Sequence, residues 1–373
     1  MRKAFIFSFC CIYSIEVIGV KRPSIFLFMW LCVFCAGLLI FPKEATAGCI
    51  DGLRLCGSKV IPALFPFFVL SRLAISADLF GRLKHGNSRL MERLFGVSSA
   101  VVPCLLLSFI GGYPVGISTL ISMYQNGRLT KTDAQRAMLF CNNSGPGFFI
   151  GLVGAVILND MKAGLALYLI HCLSACLTGM FFRKPPLSGI RIVPVPERKT
   201  GQPPFSRLFL EAVSSSCSAL LNISALVMFF TVLLRLAYAA GIISFFSRLF
   251  ENQFSVPSNI TTALLQGSLE LSGGILSLTG LGKNAFIPAA FLLGWGGLCV
   301  HFQAASIWSE ANLKPKGYYP AKLLHGGISA FLAWIYTNPT LLSTSLGVLL
   351  LLFVGIFPVL LKKRASIRRH YAV

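Results

Sequence analysis

Apolar runs alternate along this chain with short basic loops. The runs cover 25–41, 49–75, 97–125, 138–157, 163–182, 208–236, 258–281, 285–307, 323–337 and 341–361. A helix needs about 20 mostly apolar residues to cross the hydrocarbon core of a bilayer. The pattern therefore predicts an all-α polytopic membrane protein. Several runs are broken by glycine, proline and polar side chains: Gly111–Gly116 (GGYPVG), Asn142–Gly147 (NNSGPG), Leu269–Gly274 (LELSGG) and Gly294–Gln303 (GWGGLCVHFQ). An ordinary membrane helix has no need of such breaks. Non-helical backbone at membrane depth is tolerated only where protein or a water-filled cavity covers it. In transporters, such breaks lie at the substrate site.

The placement of charge turns the runs into a topology. Basic loops flank 97–125 on both sides, and the positive-inside rule puts both flanks in the cytoplasm. That run is expected to be a re-entrant hairpin with its tip near Gly111–Gly116. Counting onward, 138–157 is a broken helix running outward and 163–182 returns. Residues 183–207 form a Pro-rich linker with six Lys or Arg and one Glu, a cytoplasmic boundary between two halves. The second half repeats the order. Run 208–236 spans, 258–281 is a hairpin opening to the outside, and 285–307 is a second broken helix. Asp78–Phe95 and Gly241–Phe254 read as helices lying in the interface, and Ser247-Arg248-Leu249 echoes Ser88-Arg89-Leu90.

The expectation is an inverted-repeat, transporter-like bundle with two re-entrant hairpins and broken helices. Its parts are a first membrane half at 23–182, the linker at 183–207, a second, inverted half at 208–340, a final helix at 341–361 and a basic cytoplasmic tail at 362–373. Residues 1–22 are an N-terminal extension whose apolar part, 4–20, could be a signal-like segment, an extra helix or sequence upstream of the true start.

Composition agrees with a membrane protein: 55% of the 373 residues are hydrophobic and 12% charged, against about 25% charged in soluble domains. The net charge of +21 sits in loops between spans, with no compact basic domain to bind nucleic acid. Most of the 12 cysteines lie inside apolar runs without disulfide spacing, so they read as small packing residues. No HExxH, GxSxG or GxxxxGK[ST] signature is present. No catalytic residue, metal site or cofactor is expected.

Candidate chemistry gathers at the breaks. Glu270 is a carboxylate inside an apolar run, beside Ser272, Gly273 and Gly274. Such a residue is costly and usually faces a pathway or a partner. It could take a proton, hold a coupling cation such as sodium, or orient substrate; the structural alternative is a pair with His301 or a hairpin amide. Asn142, Asn143, Ser144 and Gly145 offer amides, a hydroxyl and free backbone groups. A half-helix opening at Pro146, capped by Ser144, would favour an anion. Gly111, Gly112 and Tyr113 offer the same at the first hairpin tip. Trp295, His301 and Gln303 surround the last break, with His301 a second coupling candidate. His171 and His325 lie in ordinary runs and read as structural. Lys322 reads as part of a basic loop with Lys314 and Lys316.

The run from GGYPVG through YQNGRLTKTDAQRAMLFCNNSGP, with PALFPFFVLSRL before it and LLGWGGLCVHFQ after it, resembles the YlbJ family of sporulation integral membrane proteins. That family carries the nucleoside-recognition, or Gate, domain and is distantly similar to concentrative nucleoside transporters. The resemblance covers roughly residues 24–361. It implies transport of a small anionic metabolite, dipicolinic acid from the mother cell across the outer forespore membrane. The partners it implies are the small-molecule anion, the lipid bilayer and a coupling proton or sodium ion. Other readings are a nucleoside or organic-solute transporter, and a non-transporting scaffold of the spore envelope.

Overall fold

A computed structural model describes residues 25–77, 88–184, 204–340, 345–347 and 349. The N-terminal extension, most of the linker, residues 78–87, nearly all of the expected last helix at 341–361 and the basic tail lie outside the described residues. The described residues are helical, with no strand among them. Met161–Phe181, Phe205–Ala239 and Gly282–Glu310 are each long and apolar enough to cross a membrane.

Helix α1 (Ile25–Ile40) turns by 98° into a long rod. The turn falls at Phe41, which precedes Pro42 and is held out of the helical region at φ −120. The rod comprises α2 (Pro42–Leu55), a π-turn (Cys56–Val60) and α3 (Ile61–Ser76). It starts earlier than the hydropathy of run 49–75 suggests, because Lys43, Glu44, Asp51 and Arg54 dilute the signal. Helix α4 (Ser88–Phe95) buries Met91 and Phe95 and leaves Leu90 exposed. Next, α5 (Val102–Gly111) and α6 (Val115–Gln125) fold back on each other at Gly112–Pro114. At 10 and 11 residues they reach about 15–17 Å, half of a ~30 Å hydrocarbon core. The short α7 (Lys131–Ala137) is capped by Thr130, whose hydroxyl accepts from the Asp133 amide at 3.0 Å. Unwound chain follows, then a π-helix (Gly147–Ile157) and α8 (Met161–Phe181), capped by Asp160.

The second half runs in the same order. Helix α9 (Phe205–Ala239) lies along the α2–α3 rod. A side chain at Gly48 or Gly52 would meet the backbone of Val232 or Met228 at 2.7 Å, the small-residue approach that lets membrane helices touch. Arg235 of α9 is paired with Asp51 and lies 3.8 Å from Glu44, so the charges of α2 are matched across this contact. The surface helix α10 (Ile242–Phe254) is followed by a second hairpin, α11 (Ser258–Leu269) and α12 (Leu271–Leu276), which reverses at Glu270. Helices α13 (Phe286–Trp295) and α14 (Gly297–Glu310) form a single span broken at Gly296. It is the most enclosed span, with 72% of its apolar window buried. Helix α15 (Tyr318–Thr337) closes the bundle against α8 and α13.

One expectation is overturned. Lys322 is not in a cytoplasmic loop. It lies in the second turn of α15 with 0% of its surface exposed.

Candidate functional site

The two hairpin tips and the two helix breaks meet at the centre of the bundle. At Gly112 (φ +73) a Cβ would stand 3.0 Å from the Gly145 nitrogen, so only glycine lets the first tip touch the first break. The second break uses the same device: at Gly297 (φ +77) a Cβ would stand 2.7 Å from the Gly267 carbonyl oxygen of the second hairpin. The halves also cross over. The Tyr113 hydroxyl donates to the Leu293 carbonyl at 2.9 Å, one turn before the second break.

Between these elements lies a small cavity of about 50 Å³, lined among others by Tyr113, Ser144, Gly145, Glu270, Ser272 and Gln303. It has room for a water or so, far below the ~300–1,000 Å³ of ordinary ligand pockets. A wider vestibule opens on each side. One, about 560 Å³, is lined by Asp51, Thr231, Arg235, Tyr238, Gln266 and Gly273, and ends on Glu270. The other, about 350 Å³, is lined by Arg72, Ser118, Ser215, Asn222 and Glu310, and ends on Gln303 and Ile223. Glu270 therefore faces both the cavity and the first vestibule, and Gln303 both the cavity and the second.

Glu270 is 2% exposed. Its two oxygens accept from the amides of Ser272 (2.9 Å) and Gly273 (2.6 Å), so it caps α12. Its partners are thus the amides of its own hairpin, not His301. The donors that a half-helix would offer an anion are here already filled by a resident carboxylate. At the first break, Ser144 does not cap the following helix with its side chain. Its backbone amide instead donates to His171 Nε2 at 3.2 Å.

Asn142 and Asn143 lie just behind the cavity wall, not on it. Asn143 donates to Ser108 Oγ (2.9 Å) and the Phe140 carbonyl (2.8 Å), tying the break to α5. Asn142 donates to the Tyr318 hydroxyl at 2.5 Å. Gly111 packs against Ser71 of α3. Trp295 donates to the Ser268 carbonyl (3.3 Å), and its ring meets His301 edge-on at 4.4 Å. His301 faces Tyr318, 3.4 Å from its hydroxyl, and does not reach the cavity.

Sequence reasoning missed a polar cluster behind Tyr113. Lys322 Nζ donates to the Asn142 carbonyl (2.8 Å) and lies 3.0 Å from His325 Nδ1. His325 Nε2 is 3.1 Å from the His171 carbonyl, and the two imidazoles lie 4.5 Å apart, tilted by 33°. The signal was present in the spacing. Tyr318, Lys322, His325 and Ser329 are all buried and recur at helical intervals on α15, facing His171, Ser174 and Thr178 on α8. Among the described residues, no group of three or more His, Cys, Asp or Glu is placed to hold a metal ion.

Paired hairpins, paired broken helices and apolar spans define an all-α, multi-pass integral membrane protein. The chain is 26% identical over 342 residues to the sporulation integral membrane protein YlbJ of Bacillus subtilis (strain 168), which is 85% of this chain and 82% of that protein. The likeness supports a relation to YlbJ-like membrane proteins and a membrane role in sporulation. No family model matches the chain, and no solved structure matches it.

Proposed function

We propose that this protein carries a small organic anion across a membrane during sporulation, with dipicolinate as the first candidate and the outer forespore membrane as the place. The observation that supports this most is the pair of vestibules meeting one small cavity. Helix α9 lines both, with Ser215 and Asn222 at one end and Thr231 to Tyr238 at the other. From Ser215 to Tyr238 the helix rises about 35 Å at 1.5 Å per residue, the thickness of a hydrocarbon core. The two openings therefore face opposite sides. The basic loops at Arg128–Arg136 and Lys314–Lys316 make the Ser215 end cytoplasmic.

The cavity is far too small to hold an organic solute, so a solute can pass only if the hairpins give way. The broken backbone at Gly112, Gly145, Glu270 and Gly296 supplies hinges without loss of a continuous helix. Ser144 and Gln303 offer a hydroxyl and an amide donor for carboxylate oxygens. Glu270 works against an anion. Two unit charges 4 Å apart at an effective dielectric of 20 repel by about 4 kcal/mol. A proton on Glu270, or a sodium ion beside it, removes that repulsion, which makes Glu270 a coupling group in this reading.

Purified protein in vesicles should accumulate labelled dipicolinate above protein-free vesicles. Asn222→Trp in one vestibule and Thr231→Trp in the other should each block uptake while leaving the protein folded. Uptake of nucleosides but not of dipicolinate would move the substrate to that class. Blocking variants that still sporulate normally would favour an envelope scaffold.

A further inference from the structure

A lysine buried at the centre of a membrane bundle is costly. Among the described residues, Lys322 has no carboxylate partner to offset that cost. The groups facing it are Tyr318 and His325 on α15, His171 on α8, His301 on α14, Tyr113 at the first hairpin tip and the Asn142 carbonyl. Helix α13, packed along α15, brings no titratable side chain. A tie between α15 and the Asn142 carbonyl needs only a neutral donor, so a structural tie does not account for a lysine.

The hydrogen bonds explain the choice. The His171 carbonyl can only accept, so His325 carries its proton on Nε2 and presents a bare Nδ1 to Lys322. The Ser144 amide can only donate, so His171 carries its proton on Nδ1 and accepts at Nε2. His171 is thereby held neutral, its Nδ1 meeting no partner, and a neutral His325 presents Nδ1 as an acceptor. Lys322 Nζ then faces two acceptors, the Asn142 carbonyl and His325 Nδ1. A neutral amine has two N–H groups and satisfies both. An ammonium has a third N–H and a charge, and that charge lies over the face of the Tyr113 ring, whose centroid is 5.7 Å from Nζ.

We propose that Lys322, with His325 and His171, forms a proton-binding site that holds one exchangeable proton on Nζ and reports it to the unwound segment Asn142–Gly145. The report is direct: Lys322 holds the Asn142 carbonyl, and His171 holds the Ser144 amide, whose residue lines the cavity. Tyr113 covers Nζ on one side and lines the cavity on the other. Movement of that tip lets water reach the amine and carry the proton away. The site stands on its own geometry; its use in driving a solute rests on the transport reading above.

The test separates the two. Protein labelled with 13C at the lysine Cε is placed in nanodiscs, and a gadolinium chelate broadens the exposed lysines. Lys322, the one buried lysine among the described residues, is left sharp, and its signal vanishes in Lys322→Met. If that variant does not fold, the gadolinium contrast alone makes the assignment. The expected result is a pH-dependent step in the Lys322 signal that no other lysine shares, with its midpoint displaced in His325→Gln. A signal with no step, or a step that His325→Gln leaves in place, overturns the proposal. Vesicles with trapped pyranine then report coupling. Adding dipicolinate should change the internal pH with wild type and not with Lys322→Met. Dipicolinate movement without a pH change in wild type rejects coupling. No dipicolinate movement at all, with the lysine step intact, rejects the transport reading and leaves the proton site standing.

Discussion

Glu270→Ala should destabilise the protein by an amount that the cap geometry sets. The carboxylate is 2% exposed and accepts from two amides, Ser272 and Gly273. Removing it leaves the buried Ser272 amide without a partner, at about 1–3 kcal/mol, and turns the half-buried Gly273 amide over to vestibule water at a smaller cost. The expected loss is about 3 kcal/mol. Glu270→Gln keeps one acceptor oxygen and turns an NH2 toward the other amide, so one donor is lost and the expected cost is about 2 kcal/mol. Thermal unfolding followed by a thiol-reactive fluorophore suits this chain, because Cys104, Cys141 and Cys299 are buried and become reactive only as the core opens. The order wild type, Gln, Ala is the prediction. An Ala variant that melts with the wild type would refute the capping argument. Uptake separates capping from coupling. In Glu270→Gln, dipicolinate binding should persist while dependence on pH or sodium is lost. Unchanged ion dependence would make Glu270 a cap and nothing more.

Gly112→Ala should cost about 1–3 kcal/mol from the backbone alone, because φ +73 with ψ −170 is a region that only glycine adopts readily, and the 3.0 Å approach to Gly145 should displace the cavity wall; unfolding and vesicle uptake measure the two effects. Tyr113→Phe leaves the Leu293 carbonyl without its donor, for an expected loss of about 1–3 kcal/mol in the same unfolding assay. Asp133 lies in the loop helix α7, where burial raises its carboxyl above the usual range against bonds from Thr130 and Ser98 and the nearby Arg136 guanidinium. A raised folded-state pKa means stability that is present below the unfolded value and lost as pH rises through the folded value. Wild type should therefore gain on Asp133→Asn as pH falls through that window, and a melting series in which it loses ground would contradict the assignment.

Much of the fold is legible in the sequence because membrane backbone obeys a strict rule. Gly-Tyr-Pro, Asn-Asn-Ser-Gly-Pro and Gly-Trp-Gly-Gly have no place in an uninterrupted spanning helix, and each falls at a tip or a break in the structure. Tyr113, Ser144, Gly145, Glu270, Ser272 and Gln303 are found by that rule, and they share one cavity. What the sequence hides is which neighbours of a break face inward. Asn142 and Asn143 look like cavity residues, yet their amide NH2 groups are turned to Tyr318, Ser108 and Phe140. Lys322 is hidden by the same reasoning that reveals the topology. Charge placement assigns a lysine beside a span to the cytoplasmic loop, and Lys322 follows Lys314, Lys316 and Pro320. Pro320, however, sits in the first turn of α15, where its missing amide costs the helix nothing. The helix therefore begins early enough to carry Lys322 inside. Once that start is allowed, Tyr318, Lys322, His325 and Ser329 fall on one face, and His171, Ser174 and Thr178 fall on one face of α8. In water, an apolar stripe at helical spacing marks the face turned to the core. In lipid the outside is apolar everywhere, so the stripe that marks the interior is the polar one, and two such stripes facing each other locate a polar core that hydropathy alone reads as two ordinary spans.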